Sequence, residues 1–268
     1  KYSKLLEKAI ESIIEVKEQS DINALFKQGS MVLSGTKIKG LDDFELIAFV
    51  VVKWGEWMFK FSEKTQVNIQ FKILELFRTI KADKVVKADA GNVTKVTLSN
   101  VLSPDRTNME SSDDVKEIYV FDLELNSNKV PEKFIETLNK SINFQTLLTL
   151  RYNDKVKYII AVKIIDDEKI KILKTFESDW QEETLDEMPS SVKLENIYKQ
   201  MIAKLTLYPF KTSEDFKQYV DRMSAIKKQK SEIERQLKIM NAEKQPNIKM
   251  KLNDEIKQMK KELQQLEG

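Results

Sequence analysis

The stretch FQTLLTLRYNDKVKYIIAVKIIDDEKIKILKTFE, residues 144–177, decides the fold. Three β-branched and apolar runs, FQTLLTLRYN, VKYIIAVKII and KIKILKTFE, are separated only by Asn153-Asp154-Lys155 and by Asp166-Asp167-Glu168. Connections this short leave no room for a crossover helix, so the runs pair as an antiparallel meander. Upstream, VKEIYVFDLEL (115–125) is the strongest strand signal in the chain, and VTKVTLSNVL (93–102) is another, with SPDRTN (103–108) as a turn between them. Pro131 stands where a first helical residue belongs, leading a helix through Leu138.

Around this sheet the periodicity turns helical. Ile69, Ile73, Leu76, Phe77 and Ile80 predict a helix opening at Thr65 and continuing to Ala90, with Gly91-Asn92 as its stop. Leu194, Ile197, Tyr198, Met201, Ile202 and Leu205 predict another after a Ser190-Ser191 cap. At the start of the chain, Leu5, Leu6, Ala9, Ile10, Ile13 and Ile14 form an amphipathic stripe. Asp42 and Glu45 then make a capping-box-like pair before a further helix.

The tail carries a sustained heptad. Phe216, Tyr219, Met223, Ile226, Lys230, Ile233, Leu237 and Met240 alternate spacings of three and four, with Lys230 as the polar break. Leu252, Ile256, Met259, Leu263 and Leu266 repeat the pattern beyond NAEKQPN, which predicts an antiparallel helical hairpin. The fold class is therefore α+β: a mostly antiparallel sheet with flanking helices, an N-terminal helical segment and a C-terminal hairpin. The expected divisions are a helical segment over 1–57, an α+β domain over 58–209 and the hairpin over 210–268.

Composition removes several chemistries. The chain has no cysteine and no histidine, which excludes disulfides, thiolate sites, a cysteine nucleophile and the commonest general base. No cofactor and no metal site is assigned, and any metal would need oxygen ligands. With 45 basic against 43 acidic residues, no global field draws the chain to nucleic acid. No apolar run reaches the length of a membrane span, and KYSKLLEKAI carries neither an initiator Met nor a signal peptide. A cytoplasmic chain that begins partway through a longer reading frame is expected.

Few residues suggest catalysis. Asp122 and Glu124 share one face of the strong strand, and with Lys163 on a neighbouring strand they could serve a metal-dependent nuclease. A solvated strand face accounts for the same pair. Asp167-Glu168-Lys169 is a second acid–lysine spacing, in a turn. The lysines of the tail could bind phosphates, or simply solvate a coiled coil, since they are interleaved with Glu and lack aromatic partners. Trp54, Trp57 and Trp180 could stack on a base or a partner; packing is the ordinary fate of tryptophan.

The stretch LSPDRTNMESSDDVKEIYVFDLEL (102–125) resembles an uncharacterised bacterial domain family with a Leu-Ser-Pro-x-x-x-Asn turn before a strand like VKEIYVF. The likeness covers about residues 58–268, through the Trp180 region and the hairpin EKQPNIKMKLNDEIKQMKKELQQL. Members tend to start with Met-Phe and a T-x-V-N, matched here by Met58-Phe59, Thr65, Val67 and Asn68. Residues 1–53 resemble the C-terminal tail of a partner helicase. WGEW (54–57) then reads either as a translated intergenic junction, because Trp-Gly-Glu-Trp-Met requires purine-rich codons before ATG, or as an ordinary linker.

The family tends to be encoded beside a helicase and an adenine methyltransferase, in operons that look like restriction-type antiviral defence. The resemblance implies an accessory or adaptor subunit of that complex, with helicase and DNA methyltransferase as partners, DNA reached through the complex, and no membrane. Docking is expected through the hairpin, at Ile226, Lys230, Ile233, Leu237 and Met240. The alternatives are the metal-dependent nuclease and a nucleic-acid-binding module. The family's activity is not established, so it supplies no catalytic residues.

Overall fold

A strand buried on both faces reads as an unbroken apolar run. The longest strand among the described residues comes close: every residue from Val156 to Lys163 is buried, with Lys157 and Lys163 as the polar exceptions to the run. It lies inside a mixed sheet, seen in a computed structural model that describes residues 58–166 and 169–267. The chain divides between Trp57 and Met58, and the described residues all belong to the second unit. The expected N-terminal helices, the tryptophans Trp54 and Trp57, and the Asp167-Glu168 pair lie outside the described residues.

The strands are β1 (Met58–Lys60), β2 (Gln66–Phe71), β3 (Val93–Leu102), β4 (Ile118–Leu125), β5 (Gln145–Tyr152), β6 (Lys155–Asp166), β7 (Lys169–Glu177), β8 (Gln181–Glu182) and β9 (Leu185–Glu187). The main sheet runs β2-β3-β4-β5-β6-β7, with β8 on the end of β6, and β1 and β9 pair separately and parallel. The meander is antiparallel as expected. The β4–β5 pair is parallel, from Ile118 opposite Gln145 to Glu124 opposite Arg151. A parallel pair needs a crossover, and the helix behind Pro131 supplies it.

Among the described residues seven α-helices accompany the sheet: α1 (Ile73–Thr79), α2 (Lys84–Asp89), α3 (Pro104–Thr107), α4 (Glu132–Lys140), α5 (Leu194–Thr206), α6 (Phe216–Ala242) and α7 (Pro246–Glu267). The single helix expected from Thr65 to Ala90 is replaced by β2, α1 and α2. Val67, Ile69 and Phe71 alternate with Gln and Asn, and that period of two prevails over the period of 3.6 that begins at Ile69. Asp83 starts α2 by accepting the Val86 amide, which ends any continuous helix. SPDRTN closes one helical turn, stopped by Asn108 in the left-handed region at φ 56°. The cap of α5 is Lys193 rather than Ser190-Ser191, whose Ser191 hydroxyl bonds Lys193 instead.

Side chains alternate across the sheet. One face, carrying Ile118, Val120, Leu147, Tyr158, Ile160 and Val162, is covered by α5 and the first half of α6. The opposite face, carrying Phe121, Leu123, Leu148, Leu150 and Ile159, is covered by α1, α2 and α4. Among the described residues, no helix is long and apolar enough to cross a membrane.

Candidate functional site

The parity of β4 sends Asp122 and Glu124 to the α5/α6 face, near the C-terminal end of the parallel pair, where open sheets commonly bind ligands. Both carboxylates are taken by cations. The Arg151 Nε reaches Asp122 Oδ1 at 3.4 Å, and the Arg151 guanidinium forks onto Glu183 with two bonds of 2.8 Å. Lys95 donates to Glu124 at 2.9 Å. The Glu183 hydrogen bonds, with the nearby Asp122 carboxylate, hold the Arg151 guanidinium charged against its partial burial. Tyr158, opposite Thr149 in the next row, is 2% exposed and its hydroxyl has no protein partner. Burial pushes that phenol up, and the carboxylate of Glu183 acts in the same direction. Arg151, Glu183 and Tyr158 are the part of this cluster that sequence reasoning missed. Glu183 lies 32 residues from its partner in sequence, and no spacing announces it.

Lys163 does not join the acids. Its odd parity on β6 places it on the other face, beneath α4. It is 2% exposed, and its Nζ donates to the carbonyls of Asn139 at 3.2 Å and Ile142 at 3.1 Å, at the end of α4. Burial lowers its pKa to about 7. Gln145 donates to the Lys163 carbonyl, and Asn139 accepts from the Thr146 hydroxyl, so the ammonium belongs to a buried polar junction between α4, β5 and β6. That is a structural role. Among the described residues, no group of three acids is arranged to hold a metal ion.

A polar cleft of about 500 Å³ opens at the other end of the parallel pair. Ser103, Asp105, Ser112, Lys116, Glu117 and Phe144 line it, which puts the LSPDRTN turn on its rim. Tyr119 stacks on Phe144 at 4.7 Å beside it. Trp180 packs edge-on against Tyr152 at the border of the α4-side core.

The hairpin forms as the heptads require, and most of its seam is consumed within the molecule. Phe216, Tyr219, Val220, Met223 and Ile226 belong to the sheet core. Ile233 and Ile256 are buried further out, while Leu237 and Met240 are half-buried. Lys230 leaves the seam sideways, to Glu267 at 2.9 Å and the Tyr208 hydroxyl at 2.6 Å. Burial opposes its charge, but those two hydrogen bonds carry its pKa above the ordinary lysine value.

The last turn of α7 is clamped by cations, which suits the negative end of a helix. Arg222 donates to the Leu266 carbonyl at 3.3 Å and Lys211 to the Gln265 carbonyl at 2.9 Å. Arg222 is itself locked in a buried pair with Glu214, with bonds of 2.7 Å. At the opposite end the hairpin leaves its core. Ile239, Ile248 and Met250 are 42%, 39% and 69% exposed. Lys238, Lys244, Lys249 and Lys251 are exposed among them.

A family model described as Domain of unknown function (DUF4391) matches residues 87–263, well over half of the chain. No curated protein and no solved structure matches it.

Proposed function

The chain belongs to the family described as Domain of unknown function (DUF4391), and from that premise we propose that it is an accessory or adaptor subunit of a helicase–methyltransferase antiviral defence complex in the cytoplasm, docking through the projecting end of its C-terminal hairpin. The observation that carries the reading is the contrast along the hairpin. Its base is packed into the sheet core through Phe216, Tyr219, Val220, Met223 and Ile226, and the end of α7 is clamped there by Arg222, Lys211 and Lys230, whereas its far end presents Ile239, Ile248 and Met250 to solvent. Exposed apolar side chains gathered at the end of a helical arm support a docking role for that end. Ile226 is buried in the sheet core and Ile233 within the hairpin, so the reading places docking at the tip instead of at these seam residues.

The test is co-purification with the helicase and methyltransferase that the reading expects to be encoded beside the gene. Ile239→Asp with Ile248→Asp and Met250→Asp leaves the thermal midpoint within a few degrees and abolishes co-purification. Undiminished co-purification by the triple variant removes the tip as the docking element.

The rival nuclease reading rests on Asp122 and Glu124 alone. Lys163 is on the wrong face to assist them, and Arg151 and Lys95 neutralise them. We expect no magnesium- or manganese-dependent cleavage of DNA by the isolated chain; cleavage that Asp122→Ala removes would install the nuclease reading in its place.

A further inference from the structure

We propose that the outer strand β7 and the adjoining turn of α6 form a phosphate-binding ledge, with Lys171, Lys174 and Lys227 as its cations, that holds the backbone of a nucleic acid. The site is independent of the hairpin tip and stands whether or not the tip docks a partner.

The ledge is made by an irregularity in the sheet. Val162 pairs with Lys174 and Lys163 with Ile172, so Leu173 is an extra residue on β7. Lys171 and Lys174 are three apart in sequence and would normally face opposite ways. The bulge places both on the α6 side, since Lys171 pairs with Ile164 and Lys174 with Val162, which share parity on β6. Beyond them Lys169 is the register partner of Asp166.

Lys174 is held in place. Its Nζ donates to Ser224 Oγ on α6 at 3.1 Å and lies over the Phe176 ring at 5.5 Å. Ser224 in turn donates to the Val220 carbonyl, which fixes its lone pairs toward the lysine. Lys227 and Lys228 follow Ser224 by three and four residues, so they rise on the same side of α6. The result is like charges gathered where like charges repel. Burial, and after it the charge of Lys227, lowers the Lys174 pKa. Lys95, Lys140, Lys204 and Lys257 sit against carboxylates; among the described residues Lys171, Lys174 and Lys227 do not. An anion with several oxygens relieves the repulsion at Lys174 and Lys227 together. Ile164, 38% exposed beside Lys171, adds an apolar floor for a sugar or base.

The experiment measures binding of the full chain to fluorescein-labelled single- and double-stranded oligonucleotides across a salt series. We expect a dissociation constant of the order of 10⁻⁴–10⁻⁶ M at physiological salt, tighter at low salt and weakening steeply as salt rises. Lys171→Gln with Lys174→Gln and Lys227→Gln lowers affinity at least tenfold. It also flattens the log–log salt dependence by about 0.7–0.9 for each phosphate no longer neutralised. A matched control, Lys249→Gln with Lys257→Gln and Lys260→Gln on α7, keeps both. On binding, the Lys174 side-chain NMR titration moves to higher pH, a change that loss of general positive charge elsewhere would not produce. No binding by the wild-type chain overturns the proposal, as does an equal loss in the two triple variants or a preference for anionic vesicles over oligonucleotides. The Lys227→Gln single variant, on a solvated helix face, guards against misfolding, and it too must weaken binding.

Discussion

At the scale of single residues, the three side chains that read most like chemistry, Asp122, Glu124 and Lys163, are explained by their surroundings. Asp122 and Glu124 answer Arg151 and Lys95 across neighbouring strands. Lys163 is a lysine buried without a carboxylate, and linkage makes that testable. Its folded pKa, about 7, lies below the ordinary lysine value of 10.5, so between these values the unfolded chain binds the extra proton. Stability therefore rises with pH through that window, and the full cost of burying the charge is present below it. We expect wild-type stability to gain up to about 1.4 kcal/mol per pH unit from this group between about pH 7 and about pH 9. Chemical denaturation at several pH values reads the slope. Lys163→Met loses the bonds to Asn139 and Ile142, so its absolute stability is no guide, but its slope over this range becomes flatter by that amount. Equal slopes in the two proteins would mean that Lys163 stays charged in the fold.

At the scale of elements, the heptad of the tail was legible because one period persists over many turns. The seam it forms is uneven. Ile256 is buried against the first helix of the hairpin, and Met250, a turn and a half away, stands in solvent. Ile256→Ala should cost about 2–5 kcal/mol, and Met250→Ala less than about 0.5 kcal/mol, in thermal or urea unfolding. Comparable costs would mean that the tip is packed in solution. The clamp at the end of α7 was not legible. Arg222, Lys211 and Tyr208 are 44 to 59 residues from the groups they hold, and no pattern links them. Breaking the buried pair by Arg222→Ala leaves Glu214 uncompensated, which costs about 3–5 kcal/mol. Burial opposes the Glu214 charge, and the Arg222 bonds now pull its carboxyl below the usual range. Amide exchange in the last turns of α7 should rise with that change. Local competition also hid β2: Ile69 is shared between a strand pattern behind it and a helix pattern ahead, and only pairing with β3 decides between them.

At the scale of the molecule, the sequence suggests a hairpin separable from the sheet near residue 210, because its period and composition change there. The packing ties the two together. Phe216, Tyr219, Val220, Met223 and Ile226 lie in one core with Ile118, Leu147 and Ile160, and Phe210 stacks on Tyr219 at 3.8 Å. Each such side chain contributes about 1.5–3 kcal/mol by burial, so removing five of them forfeits an amount comparable with the whole stability of an ordinary domain, about 5–15 kcal/mol. Truncation after Tyr208 should therefore abolish cooperative unfolding of the sheet. Shortening the arm should not. Arg222 meets Leu266 and Gln229 meets Met259, so residues of the two helices lie level when their numbers sum to nearly the same value. Gln236–Asn253 can then be replaced by a short glycine-rich turn joining Arg235 to Asp254 without disturbing Ile233 or Ile256. That variant should keep its thermal midpoint within a few degrees, lose partner binding at the tip, and retain oligonucleotide binding at the ledge. A shortened arm that still binds the proposed helicase or methyltransferase partners would place docking on the sheet or at the clamped base instead.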